Sequence, residues 1–74
     1  MNDSLIRVYV DARPVDVALS ATVLDAVRLA NAGLAAAVSA GERSVTDSRG
    51  LPIAADAPLH GGAILRVVAA RPRS

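Results

Sequence analysis

The segment from Leu59 to Val68, LHGGAILRVV, decides the fold, because a glycine pair is followed at once by an apolar run. Glycine adopts positive φ without steric cost, so two adjacent glycines are typical of a sharp turn. The run that follows, AILRVVAA at residues 63–70, is rich in aliphatic residues and predicts a strand. We therefore predict that Gly61 and Gly62 form a corner before the last strand and are not a reactive end of the chain.

The beginning of the sequence predicts a β-hairpin. Ile6, Val8 and Val10 alternate with residues of other types, which is the period of a half-buried strand. A second alternating run covers residues 15–19, and the turn-forming stretch DARP separates the two runs. Pro14 stands at a position where a strand can begin.

The apolar period then changes to that of a helix. Leu24, Val27 and Ala30 fall on one helical stripe. Thr22 is a good N-cap residue, and Asp25 three positions later resembles a capping box with aspartate in place of glutamate. This pattern predicts a helix that begins directly after Thr22.

The end of this helix and the segment after it are predicted from glycines and alanines. Gly33 is expected to end the helix in the left-handed conformation. Residues 34–41, LAAAVSAG, fit either a second short helix or a short buried strand. The alanines favour the helix, and Gly41 would be its natural end.

A second, smaller hairpin is predicted over residues 43–53, RSVTDSRGLPI, with DSRG as a type I turn and Gly50 available for positive φ. Pro52 restricts the returning segment to a sheet edge or a very short strand. A right-handed crossover would place the last strand beside the first and parallel to it.

The predicted fold class is therefore α+β. We expect a mixed sheet of four to five strands covered on one face by a helix, with a possible second short helix. The whole chain, residues 1–74, is expected to be a single domain, ordered from about residue 4 to 70, with 71–74 as a tail.

Composition excludes several kinds of chemistry. The chain has 74 residues, a net charge of +1, no cysteine, and Tyr9 as its only aromatic residue. Without cysteine there are no disulfides, thiolate-ligated metals or cysteine nucleophiles. The acidic residues lack metal-loop spacing, and His60, the only histidine, has no identifiable nucleophile or orienting acid as a partner. We expect a non-enzyme without metal or cofactor.

Composition also bears on location and partners. No apolar run approaches the roughly 18 residues of a membrane span, so we expect a cytoplasmic protein. Large apolar side chains are few, and a core built from valine, alanine and leucine buries little surface per residue. A thin core in a short chain favours a protein partner or self-association.

Three stretches in sequence order, VDARPVDV (10–17), TVLDAV (22–27) and APLHGGAILRVV (57–68), together resemble the β-grasp, or ubiquitin-like, fold. Within that fold the chain is similar to the small sulfur carriers of thiamin and molybdopterin synthesis. TVLDAVRLA is also similar to the helix of plant-type ferredoxin domains, whose cluster-binding cysteines this chain lacks.

The carrier resemblance implies a C-terminal Gly-Gly whose carboxylate is adenylated by a partner enzyme and becomes a thiocarboxylate. In this chain the glycine pair precedes AILRVV, and the sequence ends in ARPRS. We therefore expect the fold of these carriers without their reactive end.

The sheet face turned away from the helix is the candidate site. If Ile6, Val8 and Val10 face the helix and the last strand lies beside the first, one outward surface combines apolar, aromatic and arginine side chains. These residues are Arg7, Tyr9, Ile64, Arg66 and Val68. Tyrosine and arginine are enriched at binding hot spots, and an exposed apolar patch is typical of an interface. We expect a non-catalytic protein-binding or complex-subunit module that uses this face or a strand edge.

Two alternatives stay open. One is a sulfur-carrier-like protein that works with an adenylating enzyme, and the other is a small regulatory or antitoxin-like protein. The net charge of +1 and the lack of aromatic stacking platforms argue against nucleic acid as a partner. The hydroxyls and arginines of ERSVTDSRG (42–50) could hold an anion, although we interpret them as solvated turn residues.

Overall fold

A computed structural model describes residues 4–70 of the chain. In chain order, its elements are β1 (Leu5–Val10), β2 (Arg13–Ala18), α1 (Val23–Ala30), α2 (Ala32–Ser39), β3 (Arg43–Thr46), β4 (Pro52–Ile53) and β5 (Ile64–Ala69). The two hairpins, the capped helix and the final strand lie where the sequence predicts them. The predicted tail at 71–74 is outside the described residues.

The five strands form one mixed sheet in the order β2-β1-β5-β3-β4. β1 and β5 run parallel, with Tyr9 opposite Ile64 and Val10 opposite Leu65. The other neighbouring strands are antiparallel. The molecule is α+β, as predicted, and the arrangement is compatible with a β-grasp-like fold.

The first hairpin turns through two residues, Asp11 and Ala12. Their φ angles are +51° and +70°, the left-handed values that a type I′ turn requires at both central positions. Aspartate tolerates this region better than most residues, whereas alanine has no polar side chain to compensate the strain. Pro14 lies opposite Tyr9 on β2, and β2 is an edge strand, so a residue without an N–H fits there.

α1 begins with the predicted capping box. The Thr22 hydroxyl accepts a hydrogen bond from the Asp25 backbone N–H, and the Asp25 carboxylate accepts one from the Thr22 backbone N–H at 3.0 Å. Along the predicted apolar stripe, Val27 is fully buried, whereas Leu24 and Ala30 are partly buried. The cap therefore sets the start of the helix, and its apolar side then packs on the sheet.

The prediction that Gly33 ends the first helix is wrong. The break between the helices is Asn31, whose backbone is extended at φ −165°. Its side-chain oxygen accepts the Leu34 backbone N–H at 3.1 Å, so Asn31 caps α2, and Gly33 lies inside the first turn of α2. For residues 34–41 the helical alternative is confirmed, and Gly41 follows the helix with φ +82°.

The second hairpin is organised by the carboxylate of Asp47. It accepts the backbone N–H groups of Arg49 at 2.8 Å and of Leu51 at 3.0 Å. The Gly50 N–H donates to the Asp47 carbonyl at 3.0 Å, and Gly50 has φ +85°. The N–H groups of Leu51 and Arg49 hold the pKa of Asp47 below its usual value. Pro52 opens a returning strand of only two residues, as predicted.

The core lies between the two helices and one side of the sheet. Within residues 4–70 its buried side chains are mostly valines, with Leu59 and Leu65 as the two leucines and alanine at the remaining positions. Leu19, which the sequence places in an alternating strand pattern, lies just beyond β2 and is 53% exposed. Leu65, on the central strand, is the largest of the fully buried side chains.

Candidate protein-binding face

Strand pairing fixes which side chains share a face of the sheet. Tyr9 lies opposite Ile64, and side chains alternate along each strand. The residues between them in sequence, such as Val8 and Leu65, are buried on the helix side. The structure therefore brings together all five predicted site residues on the uncovered side. We call this surface, with one more β1 residue included, the open face: Leu5, Arg7, Tyr9, Ile64, Arg66 and Val68.

The open face exposes large apolar side chains. Leu5 is 68% exposed, Ile64 48%, Val68 38% and Tyr9 36%. They lie on two adjacent strands and are not scattered over the molecule. Exposed apolar area gathered on one side of a small protein is typical of a contact surface. Leu5 is not among the site residues predicted from the sequence, although its alternation with Arg7 and Tyr9 places it on the same side of β1.

A shallow depression lies where the open face meets the first hairpin turn. Tyr9 and Ile64 line it together with Asp11, Ala12 and Arg66. We call it the tyrosine depression. Its lining is mainly apolar, and the aromatic ring is the largest side chain in it, so its chemistry suits an apolar side chain of a bound protein.

Arg7 is the paired arginine of the open face. Its Nε lies 2.9 Å from Asp16 Oδ1 and its Nη2 lies 3.3 Å from Asp16 Oδ2, across the β1–β2 ladder. The hydrogen bond and the attraction between the charges raise the pKa of Arg7 and lower the pKa of Asp16. Both side chains are exposed, so this pair orients Arg7 more than it stabilises the fold.

Arg66 differs from Arg7, because within residues 4–70 its side chain makes no ion pair and no hydrogen bond. It is exposed on β5, the central strand. A guanidinium carries five N–H donors in a planar fork. Among the residues that the structure describes, the open face therefore presents Arg66 as a cation whose donors are available to a ligand.

The attachment of β5 to the sheet answers the question raised by the glycine pair. The Gly62 N–H donates to the Arg7 carbonyl at 2.7 Å, and the Ala63 N–H donates to the His60 carbonyl at 3.2 Å, which closes a tight turn. Gly62 has φ +84°, a value suited to glycine. The pair is a corner, as predicted.

Asp11 makes a further link to β5 that the sequence did not reveal. Its Oδ1 accepts the Val67 backbone N–H at 3.1 Å, and its own backbone N–H donates to the Leu65 carbonyl at 2.9 Å. β1 ends at Val10, so beyond it no carbonyl of β1 faces β5. The Asp11 carboxylate takes the place of that carbonyl and accepts the Val67 N–H. No local pattern could show this bond, because the two residues are far apart in sequence.

A second depression adjoins Arg66 on the side of β3. Its lining combines two arginines and two hydroxyl side chains: Thr46, Ser48, Arg49, Gly50, Arg66 and Val68. We call it the basic depression. The pairing of Thr46 with Arg66 across β3 and β5 brings the turn residues of the second hairpin next to the open face. The sequence contained these residues within ERSVTDSRG, but it gave no signal that Arg66 joins them.

Other chemistry finds little support within residues 4–70. No three or more histidine, cysteine, aspartate or glutamate side chains are grouped so that they could hold a metal ion. His60 lies in the loop before the glycine corner and is exposed. Neither helix in this part of the chain has the length and apolar character needed to cross a membrane.

Comparison of the chain with protein-family models, with characterised proteins and with solved structures finds no significant match.

Proposed function

We propose that the protein is a non-catalytic binding module that contacts a protein partner through the open face. The single observation behind this proposal is that Tyr9 and Ile64 are exposed side by side on the open face, and that Arg66 and Val68 follow Ile64 on the same side of β5. Aromatic and arginine residues within an apolar patch are the composition of binding hot spots. Among residues 4–70, both helices lie on the other side of the sheet, and no element covers the open face.

The sheet edges are less suited to binding than the open face. The Leu19 N–H donates to the Ser4 carbonyl, so these two residues form a hydrogen-bonded pair of the β1–β2 ladder. Along an antiparallel ladder, hydrogen-bonded and non-hydrogen-bonded pairs alternate. Counted along the register from this pair, Pro14 and Asp16 are in non-hydrogen-bonded pairs, and their backbone groups point away from β1. Pro14 supplies no donor at this edge. The opposite edge, β4, has two residues and begins with Pro52. Short or proline-containing edges resist strand addition, which favours the face.

The alternatives gain no observation in their favour. A sulfur carrier needs its glycine pair at a free end of the chain. Here the Gly62 N–H donates a hydrogen bond to the Arg7 carbonyl of β1, and the core residue Leu65 follows three positions later. A regulatory protein that binds nucleic acid needs clustered cations. Within residues 4–70, however, Asp16 neutralises Arg7 on the open face, and Arg66 has only Arg49 of the basic depression beside it, which is too few cations for a phosphate backbone.

The proposal is tested by removing the two central side chains of the face. Tyr9→Ala combined with Arg66→Ala is expected to reduce binding to the partner by at least about tenfold, since hot-spot residues dominate binding energy. Partners would be isolated from the native cells with the tagged wild-type protein, identified by mass spectrometry, and rebound as purified proteins. Sedimentation equilibrium would test a second copy of the chain as the partner.

The matched control is Leu29→Ala with Arg43→Ala, which removes one large apolar and one arginine side chain away from the open face. It should bind like the wild type. Circular dichroism of both double variants checks that the fold is kept. If the face variant is folded and retains every partner and the same sedimentation behaviour, the proposed function is wrong.

A further inference from the structure

We propose that the basic depression is a carboxylate-binding subsite that holds an acidic side chain of the protein partner. This inference rests on the proposed function and specifies the chemistry of the partner. The partner segment would place an apolar side chain in the tyrosine depression and a glutamate or aspartate beside it, over Arg66. Arg66 lines both depressions, so the two contacts are adjacent.

Charge is the first support for the subsite. Arg49 and Arg66 line the basic depression, and no acidic residue does. Asp47, the nearest acid in sequence, lines a different depression, which Ser48 and Arg49 also line. Its carboxylate is already engaged by backbone N–H groups of its own turn. An anion in the basic depression would therefore meet Arg66, which is unpaired within residues 4–70, and Arg49, whose Nη2 lies 3.5 Å from Asp47 Oδ2.

Donor geometry is the second support. The Nη2 of Arg49 lies 3.5 Å from Asp47 Oδ2, a long contact that leaves most of its five donors unused. The Arg66 side chain has no partner within residues 4–70. The hydroxyls of Thr46 and Ser48 add short donors at the wall, and charge-assisted bonds from guanidinium groups to carboxylates are frequently bidentate. Such a set of donors recognises an oxyanion and excludes a cation.

Among oxyanions, a carboxylate of a protein is favoured because the basic depression adjoins the apolar residues of the open face. Val68 lines the basic depression, and Tyr9 and Ile64 line the neighbouring one, so apolar surface borders the donors on the β5 side. A free phosphate ion would gain nothing from this apolar surface, whereas an acidic residue in an apolar segment would use both. In an extended segment, residues two apart project from the same side about 7 Å apart, so one segment can reach two subsites that share Arg66.

The test is a nuclear magnetic resonance titration of the ¹⁵N-labelled full chain. The probes are two short peptides of the same length, one with valine and glutamate two residues apart and the other with glutamine in place of the glutamate. We expect the glutamate peptide to bind about fivefold more tightly at low salt, with shifts at residues 9, 48, 49, 64 and 66. Added salt should reduce this preference, because both arginines are exposed.

Variants connect the preference to the depression. Arg66→Gln with Arg49→Gln should make the two peptides bind equally. Arg43→Gln, which lowers the net charge on the other side of β3, should keep the preference apart from a small general loss. Inorganic phosphate is titrated alone as a further probe and should shift the same residues more weakly than the glutamate peptide.

Each contrary result identifies what failed. If both peptides shift the open face equally, the carboxylate subsite is wrong while the face remains a binding surface. If phosphate binds as tightly as the glutamate peptide, the site is a general anion site and the assignment to a protein carboxylate is wrong. If neither peptide shifts the open face at millimolar concentration, the subsite is wrong, and the partner experiment above judges the proposed function separately.

Discussion

Asp11 shows how one side chain solves two problems of this fold. It occupies the first position of a type I′ turn with φ +51°, and its carboxylate accepts the Val67 N–H on the last strand. The first role needs a residue that tolerates the left-handed region, and the second needs an oxygen acceptor. Aspartate and asparagine meet both needs, which limits what can replace this residue.

Substitutions at this position separate the two roles. Asp11→Ala should destabilise the protein by about 1–2 kcal/mol, because the partly buried Val67 N–H loses its acceptor and alanine must adopt positive φ. Asp11→Asn keeps an acceptor oxygen and the tolerance for positive φ, so it should lose less. Urea unfolding followed by circular dichroism measures both. Equal stability of the two variants would show that the side-chain bond contributes nothing.

The start of α1 is the element whose electrostatics are best defined. The hydrogen bond from the Thr22 backbone N–H favours the ionised Asp25 carboxylate and is the main reason why its pKa lies below the usual value. The Thr22 hydroxyl and Arg28 lower this pKa further. Arg28 Nη1 lies 2.9 Å from Asp25 Oδ1, one turn along the helix. A negative charge at this position also suits the positive end of the helix dipole.

This lowered pKa makes the helix contribute to acid sensitivity. The folded state binds the Asp25 proton more weakly than the unfolded state, so its stabilisation is present above the unfolded value near 3.8 and disappears as pH falls through the lower folded value. Asp25→Asn should therefore be less stable than the wild type at about pH 6, and the difference should shrink towards about pH 3. Urea midpoints across this pH range give the comparison.

Asp56→Asn is the control for this measurement, because Asp56 is exposed and makes no ion pair within residues 4–70. Its stability curve should run parallel to that of the wild type. A constant gap between Asp25→Asn and the wild type at every pH would mean that the carboxylate charge plays no part in the cap.

The ends of helices and strands were predictable from the sequence where nearby residues supply the capping hydrogen bond or the positive φ that the boundary needs. Thr22 and Asp25 form the predicted capping box, and Gly50 and Gly62 adopt the positive φ expected of them. The boundary at Gly33 was mispredicted because Asn31, two residues earlier, already breaks the helix and caps the next one. The order N-A-G-L fits an asparagine N-cap as well as a glycine end, and the backbone donors of α2 decide between them.

At the scale of the whole molecule, stability depends on a core of small side chains. Leu65 is 2% exposed on the central strand and belongs to the same buried cluster as valines of α1 and of the sheet. For a chain of 74 residues the total free energy of unfolding is expected to be on the order of 5 kcal/mol. One cavity at the centre would remove much of it.

Leu65→Ala is therefore expected to cost about 3 kcal/mol, from lost burial together with the cavity that remains. Leu29→Ala makes the same chemical change on α1, where the side chain is 64% exposed, and should change stability by less than about 0.5 kcal/mol. Thermal and urea unfolding measure the difference. Similar losses in the two variants would mean that the central strand is not packed as described.

The global arrangement was only partly predictable from the sequence. The parallel pairing of the last strand with the first followed from chirality rules for crossovers and from the alternation of apolar residues, and the five site residues on one side of the sheet followed from the same alternation. The pairing of β3 with β5, and with it the approach of Thr46 to Arg66, had no local signal. Pairing between distant strands depends on how the whole core packs, so the basic depression could not be predicted.

The position of β5 in the middle of the sheet affects when the sheet can form during synthesis. Of the described residues, this strand leaves the ribosome last, although it joins the β1–β2 hairpin to the β3–β4 hairpin. At a synthesis rate of about 5–20 residues per second, β5 is completed a few seconds after the β1–β2 hairpin. Until β5 has joined them, we expect the valines of both hairpins to be less covered than in the folded protein, and exposed apolar surface of this kind is what chaperones and proteases recognise.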